Sequence, residues 1–177
     1  MPSNIEIKAP LKNRAAAETV AIRLSGTVRE TIHQEDIFFR SDAARLKLRI
    51  FDEDRGELIR YERSDVADAR CSRYVIARTP DPHVMKEILS ATLGVTGMVR
   101  KTRTLYLIDQ TRVHIDEVEG LGTFLELEVV LREGQTEAEG ELIAERLMSE
   151  FRIDKQALIP EAYVDLLRSR CSRSSTQ

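Results

Sequence analysis

The feature that most restricts how this chain can fold is a two-residue alternation, repeated in segment after segment, with an apolar and a charged side. In "RLKLRI", Leu46, Leu48 and Ile50 share one side while Arg45, Lys47 and Arg49 share the other. Successive side chains of an extended chain point to opposite faces, so such a segment is a strand with one buried and one polar face. "TFLELEVVL" sets Leu125, Leu127, Val129 and Leu131 against Glu126 and Glu128, and "RVHIDEV" sets Val113 and Ile115 against Arg112, His114 and Asp116. "NIEIK" opposes Ile5 and Ile7 to Asn4, Glu6 and Lys8. Two segments are less clean: "LIRYER" puts Ile59, Tyr61 and Arg63 opposite Leu58, Arg60 and Glu62, and "VRKTR" joins Lys101 to Arg103 with Arg100 opposite.

The signs of these charges are sorted by strand. Cations gather on the Arg45 and Lys101 strands and carboxylates on the Glu126 strand. A solvated face carrying mixed charge is the plain alternative, but a surface shaped only for solubility intersperses the signs. Strands this numerous, each apolar on one side, curl round when helices cover the outside. Closure would deliver Lys8, Lys47, Arg49, Arg63, Lys101, Arg103 and Arg112 into one lumen with Glu6, Asp116, Glu126 and Glu128. Unpaired buried charge is costly, so the natural guest of this cation-rich lumen is a polyanion carrying a divalent metal. Arg and Lys would grip phosphoryl oxygens, and the carboxylates would hold Mg²⁺ or Mn²⁺, hard cations that prefer oxygen.

The remaining segments supply helices. Alanine-rich 11–24 has apolar residues at helical spacing and Gly26 as a stop. "DPHVMKEILSATLG" places Asp81 as N-cap, Pro82 at the first helical position and Gly94 at the end. "TEAEGELIAERLMSEF" opens on a Thr136–Glu139 capping box, with interior Gly140 counting against the helix. "PEAYVDLLRSR" is the last helix. Between these lie short strands, including a hairpin across "DEDRG". The expectation is an α+β fold with a large, mainly antiparallel sheet and helices on its apolar face. Residues 1–170 are expected as one domain, and the Ser/Arg-rich 171–177 as a fraying tail.

Composition narrows the partners. A net charge of −3 in 177 residues is far from the basic balance of a duplex-binding domain, and nucleic acid is not expected. No apolar run is long enough for a signal peptide or membrane span, so a soluble cytoplasmic protein is expected, with no membrane partner. Cys71 and Cys171 form no CxxC and read as ordinary thiols of a reducing compartment. His33, His83 and His114 are scattered, with no HExxH; His114 alone is on a charged face, where a structural hydrogen bond is its expected role. "GMVRKT" lacks the second Gly of a P-loop and runs into a strand. Ser72, Arg70 and Tyr74 are expected to line the lumen without nucleophilic work; Tyr61 and Tyr74 either assist a substrate base or ribose or simply pack, and packing is the expected role.

Taken together, "NIEIK", "RLKLRI", "ELIRYERSD", "RCSRY", "LGVTGMVRKTRTLYL", "TRVHIDEVEGLGTFLELEVVL" and "AYVDLL" resemble the CYTH superfamily of triphosphate tunnel metalloenzymes, most closely its class IV adenylyl cyclase-like branch. The likeness runs to about Leu167. It implies an eight-stranded antiparallel β-barrel, the triphosphate tunnel, with helices packed outside. It places Glu6 and Lys8 on the E-x-E-x-K signature as candidate catalytic residues. Lys8, Lys47, Arg49, Arg63, Lys101, Arg103 and Arg112 become candidate substrate ligands, and Glu6, Asp116, Glu126 and Glu128 candidate metal ligands. The signature's first Glu is Asn4 here; an amide oxygen can ligate a metal but brings no charge.

The implied substrate is a small-molecule triphosphate: ATP, inorganic triphosphate or thiamine triphosphate. In a cyclase the ribose 3′ oxygen attacks the α-phosphorus and pyrophosphate leaves; in a triphosphatase water attacks the terminal phosphorus. The same clamp serves both, and the sequence carries no adenine-reading motif. Cyclase, triphosphatase and a non-catalytic polyphosphate- or nucleotide-binding module remain open, and a homodimer is an admissible assembly.

Overall fold

The computed structural model describes residues 3–25, 30–42, 44–63 and 70–174. Among them, strands β1 (Ser3–Pro10), β2 (Glu30–Phe39), β3 (Arg45–Ile50), β4 (Gly56–Arg63), β5 (Arg70–Thr79), β6 (Val95–Ile108), β7 (Thr111–Val118) and β8 (Gly122–Val130) form one closed barrel. Its order is β1-β5-β4-β3-β2-β6-β7-β8, and β8 pairs back onto β1, so the sheet has no free edge. Every neighbouring pair is antiparallel. The closure expected from the alternation and the eight antiparallel strands implied by the resemblance are both present.

Helices α1 (Arg14–Leu24), α2 (Pro82–Leu93), α3 (Glu137–Glu150) and α4 (Tyr163–Ser174) lie on the barrel. The main core lies between the sheet's outer face and these helices. Ile7, Val113, Ile115, Leu125 and Leu127 pack with Ala17 and Ala21 of α1 and Leu147 and Met148 of α3. Ile37, Leu48 and Ile50 pack under Met85, Leu89 and Leu93 of α2. Each fully buried aliphatic side chain contributes about 1.5–3 kcal/mol. The outer layer thus stabilises a barrel whose interior is free to be polar.

Two glycines permit close approach. A Cβ on Gly140, in the middle of α3, would stand 2.7 Å from Ile5 Cγ1, so the residue that weakens this helix locally is what seats it on β1. A Cβ on Gly97 would overlap Val164 of α4.

Helix ends follow the sequence in part. Thr136 and Glu139 form the full capping box, and α1 is capped by Asn13, which accepts from the Ala16 amide at 3.0 Å. Asp81 occupies the N-cap position of α2, yet its side chain makes no cap bond; its backbone N–H donates to Thr79 Oγ1 instead. α1 ends at Leu24 with Ser25 as its cap, and Gly26 lies outside the described residues. α4 continues past residue 170 to Ser174, held by Arg170 on the Gly120 carbonyl and by Ser172 Oγ on the Arg168 carbonyl. Residues 171–174 are therefore helical. Among the described residues no helix is long and apolar enough to cross a membrane.

Candidate active site

The barrel encloses a cavity of about 400 Å³, with Ala162 and Tyr163 at the start of α4 among its lining residues. The strand ladders group the charges before any side chain is considered. β1 and β8 set Glu6 opposite Glu128 and Lys8 opposite Glu126, β6 and β7 set Arg103 opposite Asp116, and β2 and β3 set Asp36 opposite Arg49.

Two carboxylates organise the cations. Asp36 accepts from Lys47 Nζ at 2.7 Å and from Arg49 Nε and Nη2 at 2.8 and 3.1 Å. Asp116, wholly enclosed, accepts from Lys101 Nζ at 2.9 Å, from Arg103 Nε and Nη2 at 2.6 Å each, and from the Tyr163 hydroxyl at 3.2 Å. Arg103 also donates to Glu126.

The β1–β8 wall carries the acids. Lys8 Nζ donates to the Glu161 carbonyl and stands 4.0 Å from Glu126. Glu128 accepts from Asn4 and, at 3.1 Å, from Arg112 Nη1. Asn4 is 3 % exposed, and its Oδ1 has no hydrogen-bond partner among the described residues. Next round the barrel from β1, β5 and β4 present Ile59, Tyr61, Tyr74 and Ile76, flanked by Glu57 and Arg78.

The electrostatics follow from this packing. Burial alone would raise the Asp36 carboxyl, but Arg49 and Lys47 outweigh it and hold the group well below the ordinary carboxylate range. Burial and then Arg49 push Lys47 down to about 8, with Asp36 opposing them. Glu126 is likewise held down against its burial by Lys101 and Arg103. His114 has its ring nitrogens 3.9 Å from Glu126 and Glu128, yet burial followed by Arg103 lowers its pKa, so the imidazole is neutral near neutrality.

Of the residues singled out from the sequence, Glu6, Lys8, Lys47, Arg49, Lys101, Arg103, Arg112, Glu126 and Glu128 all line the cavity. Asp116 is not part of that lining; it lies behind Lys101 and Arg103. The Arg63 side chain, like those of Arg70 and Ser72, lies outside the described residues. Arg45, grouped with Lys47 and Arg49 by alternation, instead donates to Asp165 of α4 at 2.7 Å. Tyr61 and Tyr74 border the lumen. The sequence reading missed Asp36, Glu57, Arg78 and Tyr163. For Asp36 the alternation Gln34, Asp36, Phe38 was the available signal, blurred by the equally polar Glu35 beside it.

Among the described residues, no three acidic, His or Cys groups are gathered closely enough to hold a metal ion as they stand. The donor chemistry nonetheless suits a hard divalent cation. Glu6 and Glu128 stand opposite each other on the ladder, and like charges so placed repel unless a cation intervenes. The partnerless oxygen of Asn4 belongs to the same wall. Carboxylate and amide oxygens are the ligands such ions take.

A family model described as the CYTH domain matches residues 3–163. The chain belongs to the CYTH family. CYTH proteins are metal-dependent triphosphate tunnel enzymes of adenylyl cyclase and triphosphatase type. A Methanocaldococcus jannaschii protein, MJ0240, provisionally named an adenylate cyclase, is 28% identical over 176 residues, covering 92% of this chain and 97% of its own. The PH1012 protein of Pyrococcus horikoshii has the same fold, with a TM-score of 0.82 at 22% identity over 92% of this chain and 98% of its own. HpAC1 of Hippeastrum, provisionally named an adenylyl cyclase and described as having a dominant triphosphatase activity, superposes with a TM-score of 0.65 at 18% identity, covering 96% of each chain.

Proposed function

We propose that this CYTH protein converts ATP to cyclic AMP and pyrophosphate inside the barrel, with Mg²⁺ or Mn²⁺ as cofactor. The observation that carries this reading is the division of the lumen into two unlike walls. Lys47, Arg49, Lys101, Arg103 and Arg112 suit a polyphosphate, while Ile59, Tyr61, Tyr74 and Ile76 offer the apolar and aromatic surface that a nucleoside needs and inorganic triphosphate does not. The name of the Methanocaldococcus relative points the same way.

In this reading, Asp36 and Asp116 hold the cations in place before substrate arrives, so little reorganisation is needed as charge develops. Asp116 in this reading serves as that anchor in place of the metal-ligand role implied by the resemblance, because it lies behind Lys101 and Arg103 and, unlike Glu126 and Glu128, does not line the cavity. Glu6, Glu126, Glu128 and the Asn4 carbonyl would hold the metal ion, which when bound neutralises phosphoryl charge and polarises those oxygens. The ribose 3′ oxygen forms a bond to the α-phosphorus as the bond from that phosphorus to the bridging oxygen breaks, and the hydroxyl proton leaves to solvent. Lys8 and the surrounding cations neutralise the departing pyrophosphate.

Hydrolysis of a triphosphate is the second reading. The same clamp accommodates it, and a neighbour of this fold is described with a dominant triphosphatase activity. Product analysis with ATP, inorganic triphosphate and thiamine triphosphate, each under Mg²⁺ and Mn²⁺, separates the readings. Cyclic AMP with pyrophosphate supports the cyclase. Orthophosphate supports the triphosphatase, and tight binding without product supports a binding module.

A further inference from the structure

We propose that Tyr163, the first residue of α4, is a positioning residue for the phosphate-binding lysines, setting Lys8 and Lys101 in the lumen through the face of its ring. This rests on the proposal that the lumen binds a triphosphate. Lys8 Nζ lies 4.3 Å from the ring centroid and Lys101 Nζ 5.0 Å, both within the reach of a cation–π attraction. The two lysines come from different strands, β1 and β6, so the ring links them without any contact along the sheet.

The ring itself is fixed by two contacts and by burial. Its hydroxyl donates to Asp116, Phe124 packs against it edge-on with centroids 5.0 Å apart, and the residue is only 7 % exposed. A neutral aromatic face suits this task because it stabilises an ammonium without being a carboxylate that would repel a phosphoryl group. The preceding turn adds to the setting, since the Glu161 carbonyl accepts from Lys8. α4 is held in turn by contacts remote from the lumen: Arg45 on Asp165, Arg168 on the Thr96 carbonyl, and Val164 against the bare Cα of Gly97. Lysine geometry in the tunnel thus depends on how α4 is docked outside it.

The test is calorimetric binding of inorganic triphosphate, without turnover, to the full-length wild-type protein and three variants, with thermal midpoints recorded for each. Tyr163→Leu, which removes the ring, is expected to weaken binding about tenfold. Tyr163→Phe, which keeps the ring and loses the hydroxyl bond to Asp116, is expected to weaken binding at most about twofold at a similar midpoint, whereas a purely space-filling role would lower the midpoint of the Leu variant without lowering its affinity. Gly97→Ala, outside the lumen, displaces Val164 and is expected to reproduce the loss seen with Tyr163→Leu; should the Leu variant not fold, Gly97→Ala decides. Unchanged affinity in the folded Leu and Ala variants, or equal losses in Leu and Phe, would overturn the assignment while leaving the lumen as the binding site. Absence of binding to wild type would instead overturn the reading on which it rests.

Discussion

Asp36 lies directly across the β2–β3 ladder from Arg49 and accepts two of its guanidinium N–H groups, while Lys47 donates to the same carboxylate. One acid thereby holds two cations of the lumen in a fixed arrangement. Asp36→Asn would leave both inside the barrel without their counter-charge. A loss of about 3–5 kcal/mol is expected by urea unfolding, the scale found when one partner of a buried ion pair is removed. Inorganic triphosphate should restore more stability to the variant than it adds to wild type. A loss below about 1 kcal/mol would show that water already screens the pair.

Lys47 gives the lumen a pH response. Its pKa in the ligand-free barrel is pushed down to about 8, chiefly by burial and then by Arg49. A bound polyanion favours the charged ammonium, so binding draws in a proton as the pH rises through this value. Triphosphate affinity should therefore be about tenfold weaker near pH 9 than near pH 7. Calorimetry in buffers of different ionisation heat measures the proton directly, and Lys47→Arg should abolish the slope. A flat profile over this range would remove Lys47 from the clamp.

Glu126→Gln and Glu128→Gln test the wall proposed to hold the metal. Each keeps the shape and removes one negative charge, so the fold should persist by circular dichroism while metal-dependent turnover falls about a hundredfold or more. Wild-type rates in either variant would take that residue out of the metal site.

Asn4→Glu restores the acid of the family signature, at a position whose amide now donates to Glu128. The replacement sets a third carboxylate beside Glu6 and Glu128, so the metal-free protein should lose about 1 kcal/mol. Mg²⁺ should then raise the thermal midpoint further than it does in wild type. An unaltered response to Mg²⁺ would show that position 4 does not ligate.

Much of this site could be read from the strands where one face is uniformly apolar. β3, β7, β8 and β1 alternate cleanly, and their inner residues Lys47, Arg49, His114, Glu126, Glu128, Glu6 and Lys8 line the lumen as the two-residue period implies. β2 was harder because both its faces are mixed: Phe38 points inward beside Asp36, while Glu35 points outward to meet Lys86 of α2 and Arg100 of β6. That outer ion pair joins elements far apart in the chain, and no local pattern announces it. Tyr163 was hidden for a related reason. Helical spacing identifies α4, but only the docking of that helix brings its first turn to the lumen beside Lys8 and Asp116. The same docking encloses Asp116, which the alternation alone places on the open charged face.

The central claim, that an anion is bound by the inward-facing charges, is tested most directly with two arginines of equal charge and opposite direction. Arg49 lines the lumen, whereas Arg60 lies outside it, 2.7 Å from Glu62. Binding of ATP and of inorganic triphosphate to Arg49→Ala and Arg60→Ala should be measured by calorimetry at one salt concentration. The expected result is a loss of about ten- to a hundredfold for Arg49→Ala and less than about twofold for Arg60→Ala. Equal losses in the two variants, or none in either, would contradict a triphosphate site within the barrel.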